Sequence, residues 1–281
     1  MTDLELSKLA TQIRIEVVKA IASKGGGHIG GSLSIADLLA VLYGGVMRYD
    51  CARPDWDGRD YLVCSKGHAG PALYATLAIE GFFEKELLRT LNASGTTLPG
   101  HCDRLKVKGI DATTGSLGQG LSIAAGIALG LKLQQKKQRV YCITGDGEHA
   151  EGQIWEAVIF CAHNKLNNLI QFLDWNKKQI DGTNNEVMAL GDIKSKYQSF
   201  GWDAMVINGA DVGGISRSIT EVLKSQSKPM LIVLDSAKGA GVPCIEELEN
   251  NHCIAFPKSL AEKSLEYLDN LYASLSEANN A

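Results

Sequence analysis

The chain of 281 residues can form one large α/β domain or two small ones, and it is long enough to bury a substantial hydrophobic core. Its formal net charge of −4 argues against a general affinity for nucleic acid, because that affinity requires a basic face. The N-terminal segment is acidic and amphipathic, unlike a signal peptide, and the longest uncharged apolar stretch, residues 121–131, is shorter than the roughly 20 residues of a membrane span. We therefore expect a soluble protein that binds neither nucleic acid nor membranes.

The seven cysteines form no C-x-x-C pair, and their number is odd. Structural zinc would require ligands paired at short spacing, and a disulfide framework is typical of a shorter secreted chain. We therefore expect most of the cysteines to be small buried hydrophobic residues of a protein in the reducing cytoplasm.

The first half of the chain has mainly helical patterns. Apolar residues recur at helical spacing from Leu6 to Ile21, which predicts a first helix that ends at glycines 25–27. Ser34 and Asp37 resemble a capping arrangement that opens the next helix. The segments that follow are predicted as a strand at residues 61–65, a helix at 71–81, and a glycine-rich turn with a long helix at 114–133.

Glycines leave part of this last helix without side chains. Gly120, Gly126 and Gly130 would let another part of the backbone approach closely. The spacing of Gly126 and Gly130 is typical of tight helix packing.

Three later runs are nearly continuous in apolar residues and predict fully buried strands, with helical patterns between the first two and before the third. They are RVYCIT (139–144), NLIQFLDW (168–175) and PMLIVLDS (229–236). This alternation predicts an α/β fold with a mostly parallel sheet and helices on both faces. Ligands bind such folds at the carboxyl ends of the strands, so residues 65–68, residues 145–147 and Asn176 are the informative ones.

Residues after Pro257 carry leucines at helical spacing, at positions 265, 268, 271 and 275, with acidic neighbours. They predict an amphipathic helix docked on the domain, followed by a frayed end at residues 276–281. We therefore divide the chain into a domain of residues 1–257 and a C-terminal helix and tail of residues 258–281.

Asp146 and Asn176 follow two successive predicted strands that one helix connects. In a parallel βαβ unit these strand ends meet at one edge of the sheet, so the two side chains can face each other. Carboxylate and amide oxygens are hard ligands suited to Mg²⁺ or Ca²⁺. The glycines beside Asp146 would let a diphosphate approach the backbone, and the following helix would offer it free N–H groups. The alternative is that Asp146 belongs to an ordinary turn and Asn176 to a loop.

Three histidines occur in polar, glycine-bearing loops, namely His28, His68 and His101. A solvent-exposed histidine without a role is the usual explanation for each. The three together favour contacts to sugar hydroxyl or phosphate groups. His149 and His163 are predicted to lie on the helix after the Gly-Asp-Gly turn, without a special role.

Several motifs together resemble the transketolase family. GDGEHAEGQIWEA, with LDWNKKQIDG downstream, resembles the thiamine diphosphate motif, in which GDG is followed about thirty residues later by Asn. Five more segments resemble transketolase sequences, namely GGHIGGSLSIADLLAVLY, SKGHAGPALYA, TTGSLGQGLSIAAGIALG, NKLNNLI and FGWDAMVINGAD. The resemblance runs from about Lys8 to about Asn250 in the family's order.

The resemblance implies the diphosphate-binding domain of the thiamine diphosphate-binding fold, and it implies roles for the matching residues. Asp146, Asn176 and the backbone carbonyl of Lys178 would bind Mg²⁺. His28 and His101 would face the reacting sugar and take part in catalysis. The residues implied to contact thiamine diphosphate are His68, Gly115, Ser116, Leu117, Gly147, Asn176 and Ile180.

The resemblance also implies that Glu151 and Glu156 face a subunit interface, where the family links its two cofactors through carboxylates. The alternative is a solvated acidic face.

The sequence departs from the family pattern in two ways. Members commonly carry a Trp-His pair beyond KGxG, where this chain has Ile254 and Ala255, with His252 nearby but shifted. Transketolases also have two further domains, and their pyrimidine-binding domain supplies a glutamate that helps to activate the cofactor. This sequence ends before either domain begins, so we expect the chain alone to be catalytically inactive.

The resemblance therefore predicts the N-terminal subunit of a split transketolase. This transferase of pentose phosphate carbohydrate metabolism would move a two-carbon ketol unit from a ketose phosphate to an aldose phosphate. The chain would pair with a C-terminal subunit in an α2β2 heterotetramer. One alternative is a specialised enzyme acting on an unusual sugar or keto acid, and another is a non-catalytic paralogue that regulates a true transketolase. A simple nucleotide-binding module is disfavoured, because the sequence has no P-loop pattern.

Overall fold

The centre of the protein is a five-stranded parallel sheet in its computed structural model, which describes residues 1–278. The strands are β1 (Gly26–Gly27), β2 (Tyr61–Cys64), β3 (Val140–Gly145), β4 (Leu169–Trp175), β5 (Asp203–Asn208), β6 (Met230–Asp235) and β7 (Ile254–Ala255). The order across the large sheet is β2-β3-β4-β6-β5, with every neighbouring pair parallel. β1 and β7 form a separate antiparallel pair.

Helices cover both faces of this sheet. They are α1 (Asp3–Lys24), α2 (Gly30–Leu33), α3 (Ala36–Val41), α4 (Gly70–Ile79), α5 (Gln119–Leu133), α6 (Gly152–His163), α7 (Asn184–Val187), α8 (Ile193–Ser199), α9 (Val212–Ser225), α10 (Pro243–Glu246) and α11 (Lys258–Glu277). Tyr141 and Ile143 of β3 pack in one core with α1, α3, α4 and α9, while Val140 and Cys142 pack in another with α5, α6 and α8. Both faces of each central strand are buried, which explains the continuous apolar runs. The predicted fold class is confirmed.

The predicted helix cap at Ser34 is wrong. α3 begins at Ala36 without a capping side chain. The Ser34 hydroxyl instead donates a hydrogen bond of 2.7 Å to the carboxylate of Asp174 on β4. Asp37 forms a buried ion pair with Arg14 of α1. Both side chains therefore serve tertiary contacts, which a local capping pattern does not reveal.

One strand of the large sheet was not predicted. β5 lies at its edge, where exposed and partly buried positions alternate and Val206 is exposed. Because it is not buried on both faces, β5 lacks the continuous apolar run that indicated β3, β4 and β6.

The C-terminal helix forms as predicted and packs along α1. Leu268 of α11 is fully buried, and Gln12 of α1 donates a hydrogen bond of 2.8 Å to the Tyr272 hydroxyl. The helix extends to Glu277, into the segment predicted to be frayed, and residues 279–281 of that segment lie outside the described residues. The division of the chain at residue 257 stays a prediction.

All seven cysteines are free thiols, and four of them are buried, namely Cys64, Cys102, Cys142 and Cys161. Among residues 1–278, no helix combines the length and the apolar character that crossing a bilayer requires.

The predicted close backbone approach occurs at Gly120. A Cβ atom there would lie 2.6 Å from the Ser65 Cα, so α5 packs directly on the end of β2. At Gly126 and Gly130, a Cβ would have no described atom within 4 Å apart from those of the adjacent residues and the backbone of the helix itself. The predicted tight packing at these two glycines is therefore not made within the described chain.

We expect Gly120→Ala to lower the free energy of unfolding by about 1–3 kcal/mol, because the added methyl group would overlap Ser65. Gly126→Ala, in the same helix, is the matched control. It should leave stability unchanged or raise it by up to about 1 kcal/mol, because alanine favours the helix. Urea unfolding measures both changes, and equal stabilities of the two variants would contradict the close contact.

Candidate cofactor site

A cavity of about 430 Å³ lies at the carboxyl ends of β2, β3 and β4. The segments just after these three strands contribute Lys66, Asp146 and Asn176 to its wall. Most of the site residues expected from the sequence line this one cavity: His28, His68, His101, Gly115, Leu117, Asp146, Gly147, Asn176, Lys178 and Ile180. Ser116 is exposed and is not part of the lining.

Asp146 lies between β3 and a short 3₁₀ turn, with its side chain buried at 3% exposure. Its carboxylate accepts hydrogen bonds from the backbone N–H groups of Gly147 at 2.8 Å and Lys177 at 2.6 Å, and from the Asn184 amide at 2.9 Å. Burial raises the pKa of Asp146, and the nearby charge of Asp174 raises it further. A buried carboxylate with an acidic neighbour is an environment that a cation would stabilise.

Asn176 and Lys178 supply further oxygen atoms beside Asp146. The Asn176 amide donates to Asp174 at 2.8 Å, and its oxygen accepts from the Lys178 backbone N–H at 3.2 Å. The Lys178 carbonyl accepts a hydrogen bond of 2.8 Å from the ammonium group of Lys238, so a cation already contacts this oxygen. One carboxylate, one amide and one carbonyl form a donor set that fits Mg²⁺ or Ca²⁺.

Residues 1–278 contain no cluster of three or more His, Cys, Asp or Glu side chains placed to hold a metal ion. A metal at this site would therefore depend on the amide and carbonyl oxygens as well as on the Asp146 carboxylate.

The backbone beside Asp146 fits a diphosphate group. Gly147 has no side chain to block the cavity, and a Cβ there would lie 3.0 Å from the Gln179 side chain. The Gln179 amide nitrogen is buried and has no hydrogen-bond partner among the described residues, so it is an available donor. Lys238 adds positive charge, although burial and the charge of Lys66 lower its pKa to about 8.

Four histidine rings meet in the cavity. The ring centroid of His28 lies 5.5 Å from that of His68, 5.4 Å from that of His101 and 5.3 Å from that of His252. Burial is the main factor that lowers the pKa values of His28, His68 and His252, the last to about 3. These three imidazoles are therefore neutral near pH 7 and can both donate and accept hydrogen bonds.

The structure brings His252 into the site, although in the sequence it does not occupy either position of the family's Trp-His pair. Ile254 and Ala255 form β7, which pairs with Gly26 and Gly27 just before His28. This pairing holds the segment that carries His252 against the loop that carries His28. The His252 Nδ1 atom lies 3.0 Å from the Lys238 ammonium nitrogen.

The expectation that His149 lies on the helix after the Gly-Asp-Gly turn is wrong. His163, which is exposed, does lie on that helix, α6. His149 lies in the 3₁₀ turn before α6, where it is fully buried. Its Nδ1 atom is 2.8 Å from the Gly145 carbonyl oxygen, and its Nε2 atom is 2.9 Å from the Tyr197 hydroxyl. Because a carbonyl oxygen only accepts, Nδ1 carries the proton and Nε2 accepts from Tyr197. Burial lowers the pKa of His149 to about 4.

Sequence reasoning also missed Glu148, a buried carboxylate under the cavity. Glu148 is 2% exposed and accepts hydrogen bonds from the Ser65 hydroxyl and from the backbone N–H groups of Gly118 at 2.8 Å and Gly145 at 3.0 Å. It therefore joins the ends of β2 and β3 to the glycine-rich turn before α5. Burial raises the pKa of Glu148.

Comparisons with known proteins identify the family. The profile described as "Transketolase, thiamine diphosphate binding domain" matches residues 6–264. The chain belongs to the transketolase family. The expectation drawn from its motifs is thereby confirmed, together with the expected thiamine diphosphate-binding domain.

Two transketolase relatives are similar to this chain along most of their length. It is 47% identical over 238 residues to a 6-deoxy-6-sulfo-D-fructose transketolase subunit of Clostridium sp. (strain MSTE9), with 85% of this chain and 86% of the relative covered. It is 38% identical over 239 residues to an apulose-4-phosphate transketolase subunit of Phocaeicola vulgatus, with 85% of each covered.

The structure also resembles part of a larger transketolase. The transketolase from Leishmania mexicana matches it with a TM-score of 0.87 and 27% sequence identity, over 95% of this chain and 41% of that chain. This transketolase chain thus spans most of the relatives named as subunits and about two-fifths of that larger protein.

We expect the free energy of unfolding to fall by about 2 kcal/mol, through His149 alone, when the pH is lowered from 7 to 5. Its folded-state pKa of about 4 lies below the ordinary value of 6.5, so the unfolded chain binds a proton that the folded chain does not. This stabilisation is complete above about pH 6.5 and is lost as the pH falls towards 4.

Urea unfolding at the two pH values measures this effect. His149→Gln should show a pH dependence smaller by about that amount. His163→Gln removes the exposed histidine at the end of α6 and should keep the dependence of the unaltered chain. The same pH dependence in all three proteins would refute the assignment to His149.

Proposed function

We propose that the chain is the N-terminal subunit of a two-chain transketolase, which transfers a two-carbon ketol unit from a ketose phosphate to an aldose phosphate. The observation that carries the proposal is a single cavity in which Asp146, Asn176 and the Lys178 carbonyl lie beside Gly147 and a group of histidines. Relatives of nearly the same length that are named as transketolase subunits support it.

Each part of the cavity has a role in this proposal. Asp146, Asn176 and the Lys178 carbonyl hold Mg²⁺. The residues that contact thiamine diphosphate are His68, Gly115, Ser116, Leu117, Gly147, Asn176 and Ile180. When bound, the cofactor supplies the nucleophilic carbon for ketol transfer, and the protein binds and orients it.

The histidines orient the sugar. His28 and His101 face the reacting sugar, and we add His252, because its ring lies against that of His28. The neutral ring of His28 can give one hydrogen bond to a hydroxyl group and accept one from another, whereas His252, whose Nδ1 atom accepts from the Lys238 ammonium group, can give one from Nε2. They can thus fix the orientation of a polyhydroxylated substrate without adding charge.

The partner in this proposal carries the pyrimidine-binding and C-terminal domains, in an α2β2 assembly. Glu151 and Glu156 are exposed on the turn before α6 and on α6 itself. Ile159 and Phe160 of α6 are exposed beside Glu156, which gives this surface apolar area that a partner can bury. The free thiols of all seven cysteines accord with a reducing cytoplasm.

A second candidate function is a specialised transketolase that acts on an unusual sugar. It is favoured by the names of the two relatives, which specify 6-deoxy-6-sulfo-D-fructose and apulose 4-phosphate. The same cofactor chemistry would serve in either case, so the two candidates differ only in the sugar.

We expect Asp146→Ala to weaken Mg²⁺-dependent binding of thiamine diphosphate more than about 100-fold, because even partners of metal ligands contribute about 10–100-fold. Isothermal titration calorimetry of the assembled enzyme, with and without Mg²⁺, measures this loss of affinity. Asp181→Ala is the control, since Asp181 lines the same cavity but is exposed and is not a proposed ligand. An unchanged affinity for thiamine diphosphate in a folded Asp146→Ala protein would contradict the metal assignment.

Co-expression with a neighbouring reading frame that encodes the pyrimidine-binding and C-terminal domains tests the activity. The purified pair should transfer a ketol unit, whereas the chain alone should not. A panel of pentose phosphates, 6-deoxy-6-sulfo-D-fructose and apulose 4-phosphate decides between the two candidates. A stable pair without transfer from any donor would show instead that the chain is a non-catalytic paralogue.

A further inference from the structure

Asp174 and Lys66 form a buried ion pair behind the proposed metal ligands. The Lys66 side chain is 1% exposed and that of Asp174 is 0% exposed. The Lys66 ammonium group also donates a hydrogen bond of 2.8 Å to the carbonyl of Gly31. Asp174 also accepts from the Ser34 hydroxyl at 2.7 Å and from the Asn176 amide at 2.8 Å. The pair therefore connects β4 to three segments around the cavity.

The bond from Asn176 to Asp174 determines which way the Asn176 amide faces. The amide has one donor end and one acceptor end. Its NH₂ group meets the carboxylate, so its oxygen lies at the other end, 3.2 Å from the Lys178 backbone nitrogen. The reversed orientation would set the amide oxygen against the Asp174 carboxylate, where two acceptors repel each other.

We propose that Asp174 is a positioning residue for the metal site: it holds the oxygen of Asn176 available to the cation, while Lys66 neutralises its charge. The proposal rests on the proposed function, because the cation belongs to that function. It differs from a purely structural role for the pair, in which Asp174 and Lys66 only stabilise the fold.

Two double variants separate these roles, because both remove both charges of the pair. Lys66→Met/Asp174→Asn keeps an oxygen acceptor for the Asn176 amide. Lys66→Met/Asp174→Leu removes that acceptor. Replacing both partners avoids a buried unpaired charge, and exchanging a buried ion pair for uncharged side chains is often neutral for stability. Thermal unfolding measures how far each variant retains the fold.

The probe is Mn²⁺, titrated into the full chain and followed by electron paramagnetic resonance. The Asn-containing variant should bind Mn²⁺ with nearly the affinity of the unaltered chain. The Leu-containing variant should bind it about 10–100-fold more weakly, as is typical when a partner that orients a metal ligand is lost. Both should unfold at similar temperatures.

Equal Mn²⁺ affinities in two similarly stable variants would overturn the positioning role while leaving the proposed function intact. Failure of the unaltered chain to bind Mn²⁺ would instead show that the metal assignment is wrong, and the positioning role would fall with it. If the Leu-containing variant does not fold, Lys66→Met/Asp174→Val takes its place, since valine is smaller and also offers no acceptor; it should bind Mn²⁺ about 10–100-fold more weakly than the unaltered chain. A folded Val-containing variant that binds Mn²⁺ as tightly as the Asn-containing variant would also contradict the proposal.

Discussion

The cavity depends on the pairing of buried charges at the ends of three parallel strands. An unpaired charge at such a depth costs several kcal/mol. Lys66 follows β2 and pairs with Asp174 of β4. Glu148, just after β3, meets the same requirement with three hydrogen bonds, among them those to Ser65 and Gly118. A polar cavity can exist at the edge of an apolar sheet because these groups satisfy one another, and the same bonds hold its loops in place.

A second buried ion pair supports the turn that contributes Lys238 to the wall of the cavity. Arg14 of α1 pairs with Asp37 of α3 and donates a hydrogen bond of 2.8 Å to the Ala240 carbonyl. Ala240 belongs to the turn that carries Lys238, whose ammonium group contacts the Lys178 carbonyl. The turn is thus tied to the helical layer as well as to the loop that carries Lys178. Side chains held in this way lose little freedom when a ligand binds, which favours affinity.

Features that follow from burial and from the topology of the sheet could be predicted from the sequence. Side-chain roles that depend on contacts between distant parts of the chain could not. β3, β4 and β6 were predictable because strands covered on both faces consist almost entirely of apolar residues, and the strand-end rule then indicated Asp146 and Asn176. β5 was missed because its faces are partly exposed, so it lacks a continuous apolar run. Ser34 and His149 were misjudged because their partners lie far away in the chain, Asp174 for one and Tyr197 for the other. Asp174 could have been noticed in the sequence, since it is the only charged residue in the run NLIQFLDW.

The two ends of the cavity differ in how much protein surrounds them. The end near Asp146 is enclosed by strand ends and buried polar groups, which suits the charged part of a ligand. At the mouth, Ile180 is 61% exposed and Leu117 is 36% exposed, beside the exposed ring of His101. Exposed apolar side chains around a binding site are typical of surfaces that another polypeptide covers. In the proposed enzyme the diphosphate would bind at the enclosed end, and the partner subunit would cover the reacting end above Ile180. The chemistry would then take place between two chains, so neither chain alone would exclude water from the reacting atoms.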